Sequence, residues 1–145
     1  MKNQTINLIY QAGIPENEKQ AVRRGVGKLA RLLGLQLNES GREIQEGNAN
    51  LSDYIRKNKN YSTNQVLIKS FNGLRSSRGS GSYNIYILKD DISVSGCNYI
   101  FGIGSVDSRG AVVSSCQLQN LDDFYRTECL ETIVEHEGAH VLGTD

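Results

Sequence analysis

The chain has 145 residues, the size of one domain that can bury a sizeable core without disulfide or metal staples. Lys plus Arg and Asp plus Glu number 16 each, so the balanced charge gives no reason to expect nucleic acid or an acidic membrane as partner. Three cysteines without C-x-x-C spacing argue against a disulfide framework, and no apolar run has the form of a signal peptide or a membrane span. These features together predict a cytoplasmic protein.

The first 35 residues predict a strand followed by a long helix. Thr5–Tyr10 alternates apolar and polar residues in the manner of a strand. Pro15 with acidic residues after it is typical of a helix start, and Gly34 ends the apolar periodicity that follows. Gly25 and Gly27 weaken the helix by about 1 kcal/mol each relative to Ala, which suggests close packing of the helix against a sheet.

The middle of the chain gives weaker signals. Arg42–Glu46 has the character of a short strand, and Thr63–Phe71 has apolar residues at the spacing of a short helix. The basic, Gly- and Ser-rich run Arg75–Ser82 predicts a mobile surface loop within the same domain.

The second half predicts three strands and a final helix. Tyr83–Leu88, Asn98–Ile103 and Ala111–Ser115 are rich in β-branched and aromatic residues, and a turn at Asp107–Gly110 joins the last two. The final helix begins at Asp122 or Asp123. Its expected core face is formed by Leu130, Ile133, Val134 and Val141.

The final helix contains the motif H-E-x-x-H-x-x-G, which includes both histidines of the chain. His136 and His140 are four residues apart and therefore lie on one helix face, where two imidazoles can reach one metal ion. Glu137 can take a proton from a metal-activated water without binding the metal itself. Gly143 can adopt the left-handed conformation that turns a chain out of a helix.

The segments Tyr99–Gly102 and Ala111–Leu118, followed by this motif, resemble the metzincin metalloproteases, and within them are most similar to the archaemetzincins. The resemblance implies an α/β (α+β) zincin-like fold with a twisted mixed sheet of about four to five strands. Two long helices accompany the sheet, and the second carries the motif. Residues 1–145 are then a single zincin-like catalytic domain.

The resemblance also implies a function, a zinc-dependent metallopeptidase that hydrolyses peptide or protein substrates. His136 and His140 would be zinc ligands, and Glu137 would be the general base. An edge strand of the sheet would bind the peptide antiparallel to itself, and the residues expected there are Ala111, Val112, Val113 and Ser114.

The third zinc ligand is left open by the sequence. The family places a His or Asp three residues after the glycine, whereas Asp145 is two residues after Gly143. The candidates are the Asp145 carboxylate, the free C-terminal carboxylate, or residues outside this sequence. The only methionine is Met1, so the methionine turn and the C-terminal subdomain of the family are expected to be missing and zinc to be held weakly.

Two other interpretations compete with the peptidase. A zincin-like domain with an incomplete ligand set could serve as a non-catalytic binding or regulatory module. A deformylase-like metal amidohydrolase, which also has H-E-x-x-H on a C-terminal helix, would need a cysteine ligand, and Cys97 and Cys116 are the candidates. A buried cysteine acting as a small apolar residue is the commoner case.

Overall fold

The computed structural model describes residues 4–39, 55–58, 65–68, 82–93, 101–105 and 109–143. Two long helices, α1 (Glu16–Leu33) and α2 (Asp123–Leu142), accompany a short 3₁₀ helix at Cys116–Leu118. The strands in these residues are β1 (Thr5–Tyr10), β2 (Gln36–Glu39), β3 (Ile55–Asn58), β4 (Gln65–Ile68), β5 (Ser82–Leu88), β6 (Asp91–Ser93), β7 (Gly102–Ser105) and β8 (Gly110–Ser114).

Of the two sheets formed by the described residues, the larger has five strands in the order β2-β1-β5-β8-β7. Its first four strands run parallel to one another, and β7 is antiparallel to β8. The smaller sheet has the order β3-β4-β6, with β3 and β4 antiparallel and β4 and β6 parallel. A mixed five-stranded sheet with two long helices confirms the predicted fold class.

Both helices have the ends that their sequences predict. Pro15 precedes α1, and Glu16 and Glu18 lie in its first turn, where negative charge interacts favourably with the helix dipole. Gly34 adopts the left-handed conformation at φ 68° and ends α1 with its backbone N–H directed at the last carbonyls. In the described part of the chain, no helix is long and apolar enough to cross a membrane.

The hydrophobic core lies between one face of the larger sheet and the two helices. Alternate residues of the central strands point to this face, and apolar residues at helical spacing on α1 and α2 cover it. This packing brings α2 across β8 and β7 at one side of the sheet. The principal contributors are Ile6, Leu8, Ile85, Ile87, Val113, Val22, Val26, Leu130, Val134 and Val141.

The predicted role of the α1 glycines needs correction. Gly25 packs against the other helix and not against the sheet, because a Cβ at this position would lie 2.6 Å from the carbonyl oxygen of Glu131 and 2.7 Å from Val134 Cγ2. A Cβ at Gly27 would meet only Arg31 Nη1, at 3.4 Å. Gly25 thus allows the backbones of α1 and α2 to approach closely.

We expect Gly25→Ala to destabilise the fold by about 1–3 kcal/mol, because the new methyl group would collide with a backbone atom that cannot rotate away. Chemical denaturation monitored by circular dichroism measures the change. Gly27→Ala is the matched control, since it adds the same group to the same helix beside a flexible side chain and should be neutral or stabilising. Equal destabilisation by both variants would contradict the close helix contact at Gly25.

The middle of the chain departs from prediction. The helix predicted at Thr63–Phe71 is wrong, because Gln65–Ile68 forms β4 and pairs with strands on both sides. Short apolar runs are ambiguous between helix and strand until their neighbours are known. The strand expected at Arg42–Glu46 and the loop at residues 75–81 lie outside the described residues.

The strands of the second half agree better with prediction. β5 and β8 coincide closely with the predicted strands, and β7 overlaps the end of the strand predicted at Asn98–Ile103. Residues 98–100 of that segment lie outside the described residues. β2, at Gln36–Glu39, was not predicted, because a mostly exposed polar edge strand has no apolar alternation to reveal it.

Candidate metal centre

Helix α2 brings the motif to the edge of the larger sheet. Asp122 caps its start by accepting a hydrogen bond of 3.0 Å from the backbone N–H of Tyr125. Leu130, Val134 and Val141 are fully buried and hold the helix on the core. His136 and His140 lie in its last two turns, away from this apolar stripe, and His136 is exposed whereas His140 is half-buried.

The two imidazoles converge on one point. His136 Nε2 and His140 Nε2 are 3.0 Å apart, and the rings are nearly perpendicular, at 89° with centroids 4.5 Å apart. Zinc–nitrogen bonds of about 2.0–2.1 Å at a tetrahedral angle place two nitrogens about 3.3 Å apart. The observed nitrogen pair is within a few tenths of an ångström of that spacing, so the two side chains suit adjacent positions around a zinc ion.

Glu137 lies beside this pair and is half-buried. Its carboxylate belongs with the two imidazoles to one cluster whose ligand-type atoms all lie within 4.8 Å of one another. Burial raises the pKa of the Glu137 carboxyl above its usual value, while His136 and His140 act in the opposite direction and lower it. A carboxylate with a raised pKa is the stronger proton acceptor, as a general base requires.

Gly143 ends the helix directly after the motif. It has φ 72° and ψ 30°, and its backbone N–H donates to the carbonyl of His140 over 3.2 Å. This left-handed conformation is the one predicted for an exit from the helix. Asp145, the candidate third ligand, lies outside the described residues, so its role stays a prediction.

The strand predicted to bind substrate does not lie at an edge of the larger sheet. Ala111, Val112, Val113 and Ser114 belong to β8, which lies between β5 and β7 and is not at an edge of the sheet. All four residues are buried, and both neighbouring strands pair with them. Sequence pattern alone could not reveal this order. Strand β7 is short and contains two glycines, yet it pairs antiparallel with β8 and lies outside it in the sheet.

The cysteine candidates do not join the cluster in the described residues. Cys116 is a half-buried residue at the start of the 3₁₀ helix, and the described cluster consists of His136, Glu137 and His140. Cys97 lies outside the described residues. A cysteine ligand therefore has no support from the geometry of Cys116.

The sequence pattern did not predict that two further residues lie close to the cluster. Gly102 and Gly104 of β7 face α2, and a Cβ on either would touch Glu137. The available signal was the G-x-G spacing in a predicted strand, because glycine inside a strand often marks close approach of another element.

The structure resembles three solved proteins, although no family model matches the chain and no curated protein matches it. An archaemetzincin from Methanopyrus kandleri has TM-score 0.73 and 22% identity, over 97% of this chain and 74% of that one. A zinc-dependent peptidase from Methanocorpusculum labreanum has TM-score 0.67 and 16% identity, over 95% and 81%. An archaemetzincin from Archaeoglobus fulgidus, solved with malonate, has TM-score 0.61 and 18% identity, over 96% and 78%.

The chain therefore shares the α/β fold of these three solved proteins. More particularly, this is the fold of the archaemetzincins, as the resemblance in sequence predicted. At these identities the similarity establishes the fold, and the chemistry has to be argued from the residues of this chain.

Proposed function

We propose that the protein is a zinc-dependent metallopeptidase that hydrolyses peptide bonds in peptide or protein substrates. The observation that carries the proposal is the pair of imidazole nitrogens 3.0 Å apart, with a half-buried glutamate beside them. The similarity to a zinc-dependent peptidase and to archaemetzincins supports it. Zinc, when bound, would polarise the substrate carbonyl and lower the pKa of a water molecule towards 7.

The chain's own groups then have distinct tasks. His136 and His140 would each bind the metal through Nε2, and helix α2 fixes the orientation of both side chains. The Glu137 carboxylate would accept the proton of the attacking water and later pass it to the amine nitrogen that leaves the scissile bond. Its partial burial keeps the carboxylate from full hydration, so it remains a competent base.

A third protein ligand is needed, because catalytic zinc sites commonly have three protein ligands and one open position. The sequence has only two histidines, so within it the third ligand is of another type. We propose the carboxylate of Asp145, which follows the left-handed exit at Gly143 by two residues.

The substrate would bind along β7. Among the described strands, β7 is an edge of the larger sheet, and it pairs with β8 on its other side. It also runs beneath α2 at Glu137. A Cβ on either glycine of β7, Gly102 or Gly104, would touch Glu137. An extended peptide added to such an edge gains main-chain hydrogen bonds and places a carbonyl near the cluster.

Zinc binding is the first test. We expect His136→Ala and His140→Ala to abolish zinc binding, and Asp145→Asn to weaken it, because each change removes or reduces a ligand. Elemental analysis after dialysis and competition with a colorimetric chelator measure the affinity. Glu135→Ala is the control, since it removes a partly exposed carboxylate outside the cluster that pairs loosely with Lys28, at 3.8 Å. Full retention of zinc by both histidine variants would refute the site.

A non-catalytic binding module is the second candidate. The described cluster contains two imidazoles and one carboxylate, and the third ligand of a catalytic site is not among them. A peptide-library assay on the zinc-loaded protein, before and after chelation, separates the two functions. Chelator-sensitive cleavage supports the peptidase, whereas zinc binding without cleavage supports the module.

A further inference from the structure

The face of strand β7 that packs against the motif on α2 is formed by two glycines. Gly102 and Gly104 are two residues apart, so both point to the same side of the sheet, and that side is covered by α2. A Cβ at Gly104 would lie 3.0 Å from Val141 Cγ2 and 3.1 Å from the carbonyl oxygen of Glu137. These distances are tighter than ordinary van der Waals contact, so β7 and α2 are close enough that alanine would not fit without movement.

Gly102 makes the more specific contact. A Cβ there would lie 2.9 Å from Cγ of Glu137, the carbon that carries the carboxylate group. The same Cβ would also be 3.2 Å from the carbonyl oxygen of Val112 and 3.3 Å from Val113 Cγ2. Because Val112 belongs to the paired strand β8, whose backbone is held on both sides, the Glu137 side chain is the neighbour that would have to yield.

We infer that Gly102 is a positioning residue for Glu137, in which the absence of a side chain sets where the Glu137 carboxylate rests beside the imidazole pair. The inference rests on the proposed function for its catalytic meaning. The contact itself is independent of that function. Gly102 therefore acts through Glu137, and it does not hold the metal.

The contact is tested first by stability. We expect Gly102→Ala to lower the melting temperature by about 3–8 °C through overpacking. In a Glu137→Ala background, the same substitution should cost less than half as much, because Cγ of residue 137 is then absent. Additive losses from the two substitutions would overturn the inference, and this measurement requires neither zinc nor activity.

The catalytic consequence is tested by kinetics on the zinc-loaded protein. We expect Gly102→Ala to lower kcat at least tenfold while KM and zinc content stay within twofold of wild type, because a displaced base affects the chemical step and not substrate binding. Gly25→Ala is the control, because it overpacks the contact with α2 at the carbonyl of Glu131, outside the motif and outside β7. It destabilises the packing of α2 without contacting Glu137, so its kcat should fall less than threefold.

The outcomes distinguish the inference from the proposed function. If Gly102→Ala retains wild-type kcat, or if both glycine variants lose kcat in proportion to their loss of melting temperature, Gly102 has no positioning role. If wild-type protein with zinc cleaves no peptide, the proposed function fails, and the stability coupling between residues 102 and 137 still decides whether Gly102 sets the place of the carboxylate.

Discussion

Replacing Glu137 by Ala should leave zinc binding nearly intact and reduce peptide hydrolysis by about 10²–10⁴-fold, the contribution usual for a positioned general base. The reason is the division of tasks in the cluster. The imidazoles of His136 and His140 converge at 3.0 Å and suit metal binding, whereas the Glu137 carboxylate is half-buried against β7 with a raised pKa. Zinc stoichiometry and kcat/KM on a peptide substrate measure the two effects separately.

Two companion variants sharpen that experiment. Glu137→Gln keeps the shape of the side chain but cannot accept the proton, so it should lose as much activity as Glu137→Ala with less change in stability. Glu135→Gln, on the same helix and outside the cluster, should keep full activity. Since the Glu137 carboxylate lies in the same cluster within 4.8 Å, the two Glu137 variants also test whether it binds the metal. Loss of zinc in both Glu137 variants would establish that role and refute the general base.

The parts of the fold that could be predicted are those whose local signals agree. α1 has a proline start, acidic residues in its first turn, apolar periodicity and a glycine end, and all four point to one helix. α2 has an aspartate cap and a glycine end in the same way. β4 was predicted as a helix because Val66, Leu67 and Ile68 give no period, and its pairing with β3 and β6 decides its structure.

The candidate metal site could likewise be predicted only where it depends on local sequence. The spacing of His136 and His140 fixes their common face once the segment is helical, so the pair follows from local geometry. The order of the strands does not follow, because it depends on pairing between segments far apart in sequence. For the same reason the sequence predicts β8 as the edge strand although β7 lies outside it, and it does not predict the contact of Gly102 with Glu137.

The largest expected effect on stability lies at the opposite end of α2 from the motif. Glu18 of α1 is 1% exposed, and one carboxylate oxygen lies 3.3 Å from Nε of Arg126, whose side chain is 13% exposed. Arg126 also donates to the carbonyl of Leu121 over 3.1 Å and pairs with Asp123. Within the described part of the chain, neither oxygen of Glu18 accepts a hydrogen bond. The Glu18 charge therefore depends on Arg126 for its compensation.

We expect Arg126→Met to destabilise the protein by about 3 kcal/mol, because a buried carboxylate would be left without its counter-charge. Urea denaturation monitored by circular dichroism measures the change. The Glu18→Met, Arg126→Met double variant should recover at least half of the loss, since two apolar side chains of similar volume carry no desolvation cost. The pair joins the first turn of α1 to the first turn of α2, so it holds together the two helices whose crossing sets the motif over β7. If the double variant were as unstable as Arg126→Met alone, the unpaired Glu18 charge would not be the cause of the loss.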